Sequence, residues 1–215
     1  MKLAIFSSAD DLVSYFSDVG AAVGPRKGPD KRTQDQKELY NLRQYLPTLA
    51  INGLLSFPLS VEKGESPDFL LTDAKAGTWG LEVTEATTKD WQRELTMTEG
   101  AESSLVGLGR DGWAGNSAER ETCAAILRAM RRKARKIRAG GYRSVSRYDV
   151  LIYVNVRAFF YNADDAVNLL VQRAIRWNAQ WAGLGRVEVL TSLRLYSDIT
   201  GDRNRLTLFR YAADE

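Results

Sequence analysis

Histidine is absent from all 215 residues, and cysteine occurs once. Without an imidazole there is no Ser-His-Asp or Cys-His nucleophile, no histidine-held zinc and no imidazole general base. Nucleases that work through a catalytic histidine are excluded on the same ground. The lone Cys123 excludes a disulfide framework and a cysteine-built zinc site. No apolar run approaches the ~20 residues of a membrane span, and Met1-Lys2-Leu3-Ala4-Ile5-Phe6 is too short for a secretory leader core. The cytoplasm is the expected compartment, with no membrane partner. Hydrolytic chemistry, if there is any, has to come from carboxylates, lysine, hydroxyls and a metal ion.

What is present suits a folded enzyme. Apolar residues make up 44% of the chain, too many for a disordered one, and the length fits a single α/β or α+β domain. The expected division is an N-terminal helix and linker over 1–33 and the main domain over 34–215, in one compact body. Net charge is only +3 but unevenly spread. Arg128, Arg131, Arg132, Lys133, Arg135, Lys136 and Arg138 crowd one stretch, with Arg143 and Arg147 beyond it, and Arg26 to Arg32 form a smaller basic run. Such clusters neutralise phosphates and steer nucleic acid, although on a lone helix a solvated basic face is an equal account.

Periodicity places the elements. Asp10 to Val19 is predicted as a helix with Leu12, Val13, Phe16 and Val19 on one stripe, followed by a glycine- and proline-rich linker from Gly20 to Thr33. A second helix runs from Gln34 to Tyr45 or Leu46 and stops near Pro47. Leu54 to Val61 is a strand interrupted by Pro58, and Phe69 to Thr72 and Trp79 to Thr84 are the next two. Lys89 to Ser117 is polar, glycine-rich and irregular. A helix starts at Ser117 and ends at Gly140-Gly141. Tyr148 to Val156 is nearly all apolar, the mark of a central strand buried on both faces. Asp164 to Trp181 is a helix, and Val187 to Tyr196 and Arg205 to Tyr211 are strands joined through turn residues Asp198 to Asn204.

One segment carries chemistry. Pro67-Asp68 precedes one predicted strand, and Gly80-Leu81-Glu82-Val83-Thr84 lies in the next. Strand alternation puts Glu82 and Thr84 on one face and Leu81, Val83 and Glu85 on the other. Two convergent carboxylates beside a sheet edge suit a hard divalent cation. These positions resemble the motif of the PD-(D/E)XK, or restriction-endonuclease-like, nuclease superfamily, with Thr84 where that family has lysine. The order helix, three strands, helix, strand over residues 35 to 156 resembles the same core.

The resemblance implies an α/β (α+β) restriction-endonuclease-like core, a mixed central sheet flanked by helices. It implies that Asp68, Glu82 and the Val83 carbonyl hold Mg2+ or Mn2+, with Glu38 as an additional acidic residue and Glu65 and Asp73 as lesser alternatives. Thr84 supplies a hydroxyl but no cation, so the missing lysine is expected from the following helix. Lys133 shares a face with Cys123, Ile126, Met130 and Ile137, and Lys136 is the second choice. Arg128, Arg131, Arg132, Arg135 and Lys136 are the expected phosphate contacts. The implied activity is metal-dependent hydrolysis of phosphodiesters in DNA, before RNA. The alternative is a catalytically inactive nucleic-acid-binding or assembly protein that kept the fold. Cutting both strands of a duplex would favour a homodimer.

Overall fold

The computed structural model describes residues 2–18, 28, 31–98, 117–156, 162–176, 187–190, 194–197 and 207–210. In chain order these form β1 (Lys2–Phe6), α1 (Ala9–Asp18), α2 (Gln34–Ile51), β2 (Leu59–Lys63), β3 (Phe69–Asp73), β4 (Gly77–Ala86) and α3 (Lys89–Thr98). Then come α4 (Ser117–Arg138), β5 (Tyr148–Val154), α5 (Ala163–Arg176), β6 (Val187–Leu190), β7 (Arg194–Ser197) and β8 (Thr207–Arg210). All these strands join one mixed sheet whose spatial order follows the chain. β1 to β4 form an antiparallel meander, β4, β5 and β6 run parallel, and β6 to β8 are antiparallel again. The parallel pairs need long crossovers, and these carry α4 and α5.

The sheet separates two apolar layers. On one face Leu71, Leu81, Val83 and Leu151 pack with Phe16 of α1 and with Leu42 and Leu46 of α2. On the other, Ala86, Val150, Ile152 and Val189 pack with Ile126 and Met130 of α4 and Val167 and Leu170 of α5. Period-two alternation in β4 therefore directs Glu82 and Thr84, which share the parity of Ala86, toward α4. The buried apolar run of β5 is explained by helices on both of its faces.

Several expectations change. Lys2–Phe6 is a strand, paired to β2, because Phe6 finds a buried place against Tyr15 and Phe16. α2 passes through Pro47 and ends at Ile51. Proline costs a helix about 3 kcal/mol, but the turn beyond it buries Leu49 and Ala50. The Thr48 hydroxyl also donates to the Gln44 carbonyl at 2.7 Å. The helix start is fixed by a reciprocal pair, Gln36 N–H to Thr33 Oγ1 at 3.1 Å and Thr33 N–H to Gln36 Oε1 at 2.7 Å. β2 starts only at Leu59, just past Pro58, where the ladder no longer needs the missing donor.

The supposed irregular stretch opens with α3. Trp91 anchors it, being buried and donating its indole N–H to Asn155 Oδ1 at 3.1 Å. The rest of the glycine-rich run, 99–116, lies outside the described residues, as do most of the linker (19–27 and 29–30), 177–181 of the expected α5 helix and the turn at 198–204. The single strand expected over Val187 to Tyr196 is two, β6 and β7, with Val189 facing Tyr196. Alternation is the same in both arms of a reversal, so the pattern did not mark the bend.

Gly80 sets how closely the segment before β3 approaches β4. A methyl group there would stand 2.7 Å from Pro67 Cγ and 2.9 Å from Tyr148 Cδ1. Gly80→Ala should therefore lower unfolding stability by about 1–3 kcal/mol through overpacking and push Asp68 away from β4. Urea unfolding checks this; an unchanged midpoint would mean that Pro67 and Tyr148 move aside freely.

Candidate active site

β3 begins at Phe69, which faces Leu81, so from Glu82 onward β4 keeps β5 on one side and, among the described residues, has no strand on the other. Asp68 stands where the ladder stops. Its Oδ2 accepts the Val83 N–H at 2.7 Å, in place of a strand carbonyl. Within an extended strand a residue's N–H and C=O point to the same edge, so the Val83 carbonyl is directed to this side too.

Glu82 arrives from the same strand, one residue earlier, and α4 supplies the third partner. Lys133 Nζ lies 3.3 Å from Asp68 Oδ2 and is in close contact with Glu82 Oε2. All three are buried, with 8%, 1% and 8% of Asp68, Glu82 and Lys133 exposed. The expected stripe explains the lysine: Cys123, Ile126 and Met130 on the same face are buried, which carries Lys133 inward. Glu82 Oε1 has no hydrogen-bond partner among the described residues.

Burial holds the Glu82 carboxyl above the usual range, Lys133 pulls it down, and the neighbouring Asp68 pushes it up again. The Tyr142 hydroxyl also stands by and favours the ionised carboxylate. Burial and then the charge of Glu82 push that tyrosine's own pKa up. The loop carrying Tyr142 is tied down where Arg143 N–H donates to the Ser66 carbonyl at 3.0 Å and Tyr142 packs edge-on against Tyr148.

Beside this triad an open cleft of about 610 Å³ reaches Val83, Thr84 and Lys133. Arg132 and Lys136 of α4 line it on one side, and Lys37, Glu38 and Asn41 of α2 on the other. Arg132 donates to the Thr84 hydroxyl at 2.7 Å. A cation thus stands over the position where the resemblance expects a lysine, with Thr84 as its anchor.

The expected residues divide clearly. Asp68, Glu82, Val83, Thr84, Arg132 and Lys133 come together, and Lys136 lines the same cleft. Glu38 is buried in the cleft wall, but Lys63 engages its Oε2 and the Gln34 amide donates to its Oε1 at 2.7 Å. Burial opposes the Lys63 charge, yet Glu38 and Asp35 outweigh it and raise its pKa. Arg128 and Arg135 are exposed on α4 away from the cleft, and Arg131 does not line it either. Asp73 instead closes a turn, accepting the Lys75 N–H at 2.8 Å, and Glu65 is exposed. Among the described residues no three acidic or sulfur groups gather as a ready metal cluster. Tyr142 and Lys63 went unread in the sequence, since neither sits in a periodic pattern that points at the carboxylates. No family profile, curated protein or solved structure matches this chain.

The ion triad makes a testable statement. Lys133→Met leaves two adjacent buried carboxylates without their cation and should cost about 3–5 kcal/mol in urea unfolding. Adding Glu82→Gln to that variant should recover much of the loss. Glu82 alone has a pH signature. Its folded pKa lies above the ordinary 4.5, so its contribution is fully present below 4.5 and is lost as pH rises through the folded value. Relative to Glu82→Gln, the parent should lose stability on going from acid to neutral pH. A difference that stays flat would show that burial does not perturb this carboxyl.

Proposed function

We propose that the protein is a metal-dependent phosphodiesterase that cleaves nucleic acid, DNA before RNA. The observation that carries this reading is the meeting of Asp68, Glu82 and Lys133 at the open edge of β4, with Lys133 also lining a cleft that holds Arg132 and Lys136. Support also comes from the order α2, β2, β3, β4, α4, β5, into which α3 is inserted between β4 and α4, with β2 to β4 antiparallel and β5 parallel to β4. It is the order that the resemblance to the PD-(D/E)XK nucleases implies.

The residues fit a hard cation. Glu82 Oε1 is a buried acceptor without a donor, the Val83 carbonyl is directed to the same edge, and every donor atom is oxygen. Asp68, Glu82 and the Val83 carbonyl would hold magnesium or manganese. Such an ion lowers the pKa of bound water and polarises the scissile phosphate. Lys133 is placed to orient a nucleophile beside the carboxylates and to hold positive charge there as the phosphate gains negative charge. Arg132, steadied by Thr84, offers a planar pair of donors suited to two phosphate oxygens. Lys136 supplies further charge for flanking phosphates without reading sequence.

A second reading is favoured by Lys133 itself: an ammonium already compensating two carboxylates suits a structural ion triad in a protein that binds nucleic acid without cutting it. Manganese addition separates the two. On the nuclease reading it raises the melting temperature of the parent and not of Asp68→Asn, and a labelled oligonucleotide is cut only when metal is present. Lys133→Ala should slow cleavage by about 10²–10⁴ while salt-dependent binding persists. Arg132→Ala should weaken binding. Binding without a metal shift or cleavage would establish the structural triad instead.

A further inference from the structure

We infer that the α2 side of the cleft receives one unpaired nucleobase, so that the site takes single-stranded rather than duplex nucleic acid. This rests on the nucleic-acid part of the preceding reading and adds the form of the substrate.

The two sides of the cleft differ in chemistry. Thr84 faces α4, where Arg132, Lys133 and Lys136 present donors only. Val83 faces α2, where Asn41 and Tyr40 come from the helix and Tyr153 from β5. Phosphate oxygens are acceptors only and match the first side. The second side adds Arg32 and Lys37 but also holds acceptors, the carboxyl groups of Glu85 and of Glu38, which Lys63 engages. A base edge offers donors and acceptors together, and so matches it.

Asn41 is the residue that singles out a ligand. It is 7% exposed, lines the cleft, and its Oδ1 has no hydrogen-bond partner among the described residues. A buried amide oxygen left unpaired costs about 1–3 kcal/mol, and a ligand donor removes that cost. An amide places donor and acceptor side by side, the arrangement that pairs with a base and not with a phosphate. Tyr40 and Tyr153 add aromatic surface, on which bases of any identity stack. The whole cleft, both sides together, is about 610 Å³, among single-ligand sites of roughly 300–1,000 Å³. A base within a duplex is stacked and paired, so entering this space would require it to be unstacked first.

Fluorescence anisotropy on the full chain in EDTA measures this without depending on cleavage. The probes are a short labelled single strand, its duplex, and the same strand with abasic positions. At matched salt the single strand should bind about 10-fold or more tighter than the duplex and the abasic strand. Asn41→Ala should weaken the single strand about 3- to 10-fold and leave the abasic strand unchanged. Equal or tighter duplex binding, or an abasic strand that binds as well as the intact one, overturns the inference whatever the variant does. No binding of any probe overturns both it and the nucleic-acid reading. The expected pattern without cleavage on adding manganese upholds the pocket and removes only the nuclease reading.

Discussion

The ammonium of Lys133 is what allows two carboxylates to lie side by side inside this sheet. Two like charges about 4 Å apart repel by roughly 4 kcal/mol at an effective dielectric near 20, and each also loses its hydration. Asp68 recovers part of that from the Val83 N–H, whereas Glu82 depends on Lys133 and on a more distant tyrosine. The contact needs three independent placements. β3 must start late enough to leave Asp68 at the ladder's end, β4 must alternate so that Glu82 faces α4, and α4 must turn its apolar stripe inward. A slip of one residue in β4 would send Glu82 to the α2 face and Val83 toward the lysine.

The same strand is where the sheet changes character. β4 is antiparallel to β3 and parallel to β5, and it outruns β3. The cleft reaches the ends of β4 and β5, where Glu85, Tyr153 and Asn155 line it. Asn155 ties them together by donating to Glu85 and accepting from Trp91, so α3 is pinned beside the cleft by the residues that line it.

Much of this was legible in the chain. Alternation in Gly80 to Thr84 gave the facing of Glu82, the doubly apolar run at Tyr148 gave the central strand, and the helical spacing from Cys123 to Ile137 gave an inward Lys133. What escaped had tertiary causes. Pro47 stays helical because Leu49 and Ala50 are buried beyond it, a fact no local propensity contains. Glu38 fitted the expected position on α2, but Lys63 lies 25 residues further along the chain, and only the register of β2 brings the two together. The basic stretch of α4 suggested one phosphate-binding face. The helix instead spreads its cations around its circumference, so Arg132 and Lys136 reach the cleft and Arg128 and Arg135 do not.

The distribution of charge links these parts. Asp68 and Glu82 set two carboxyl groups against the one ammonium of Lys133 in a buried centre, while the nearby α4 wall carries Arg132 and Lys136. On the proposed reading the centre would take a cation and the wall an anion beside it. Glu82 is the element out of balance: burial raises its pKa, and among the described residues its Oε1 has no hydrogen bond, the Tyr142 hydroxyl standing further off. A second positive charge at the open edge would relieve both conditions at once. Thr84 does not add a lysine to the crowded centre, and its hydroxyl holds Arg132 in the cleft instead. On the proposed reading, that arrangement keeps the second cation on the side where a phosphate would lie and adds none to the carboxylates beyond Lys133.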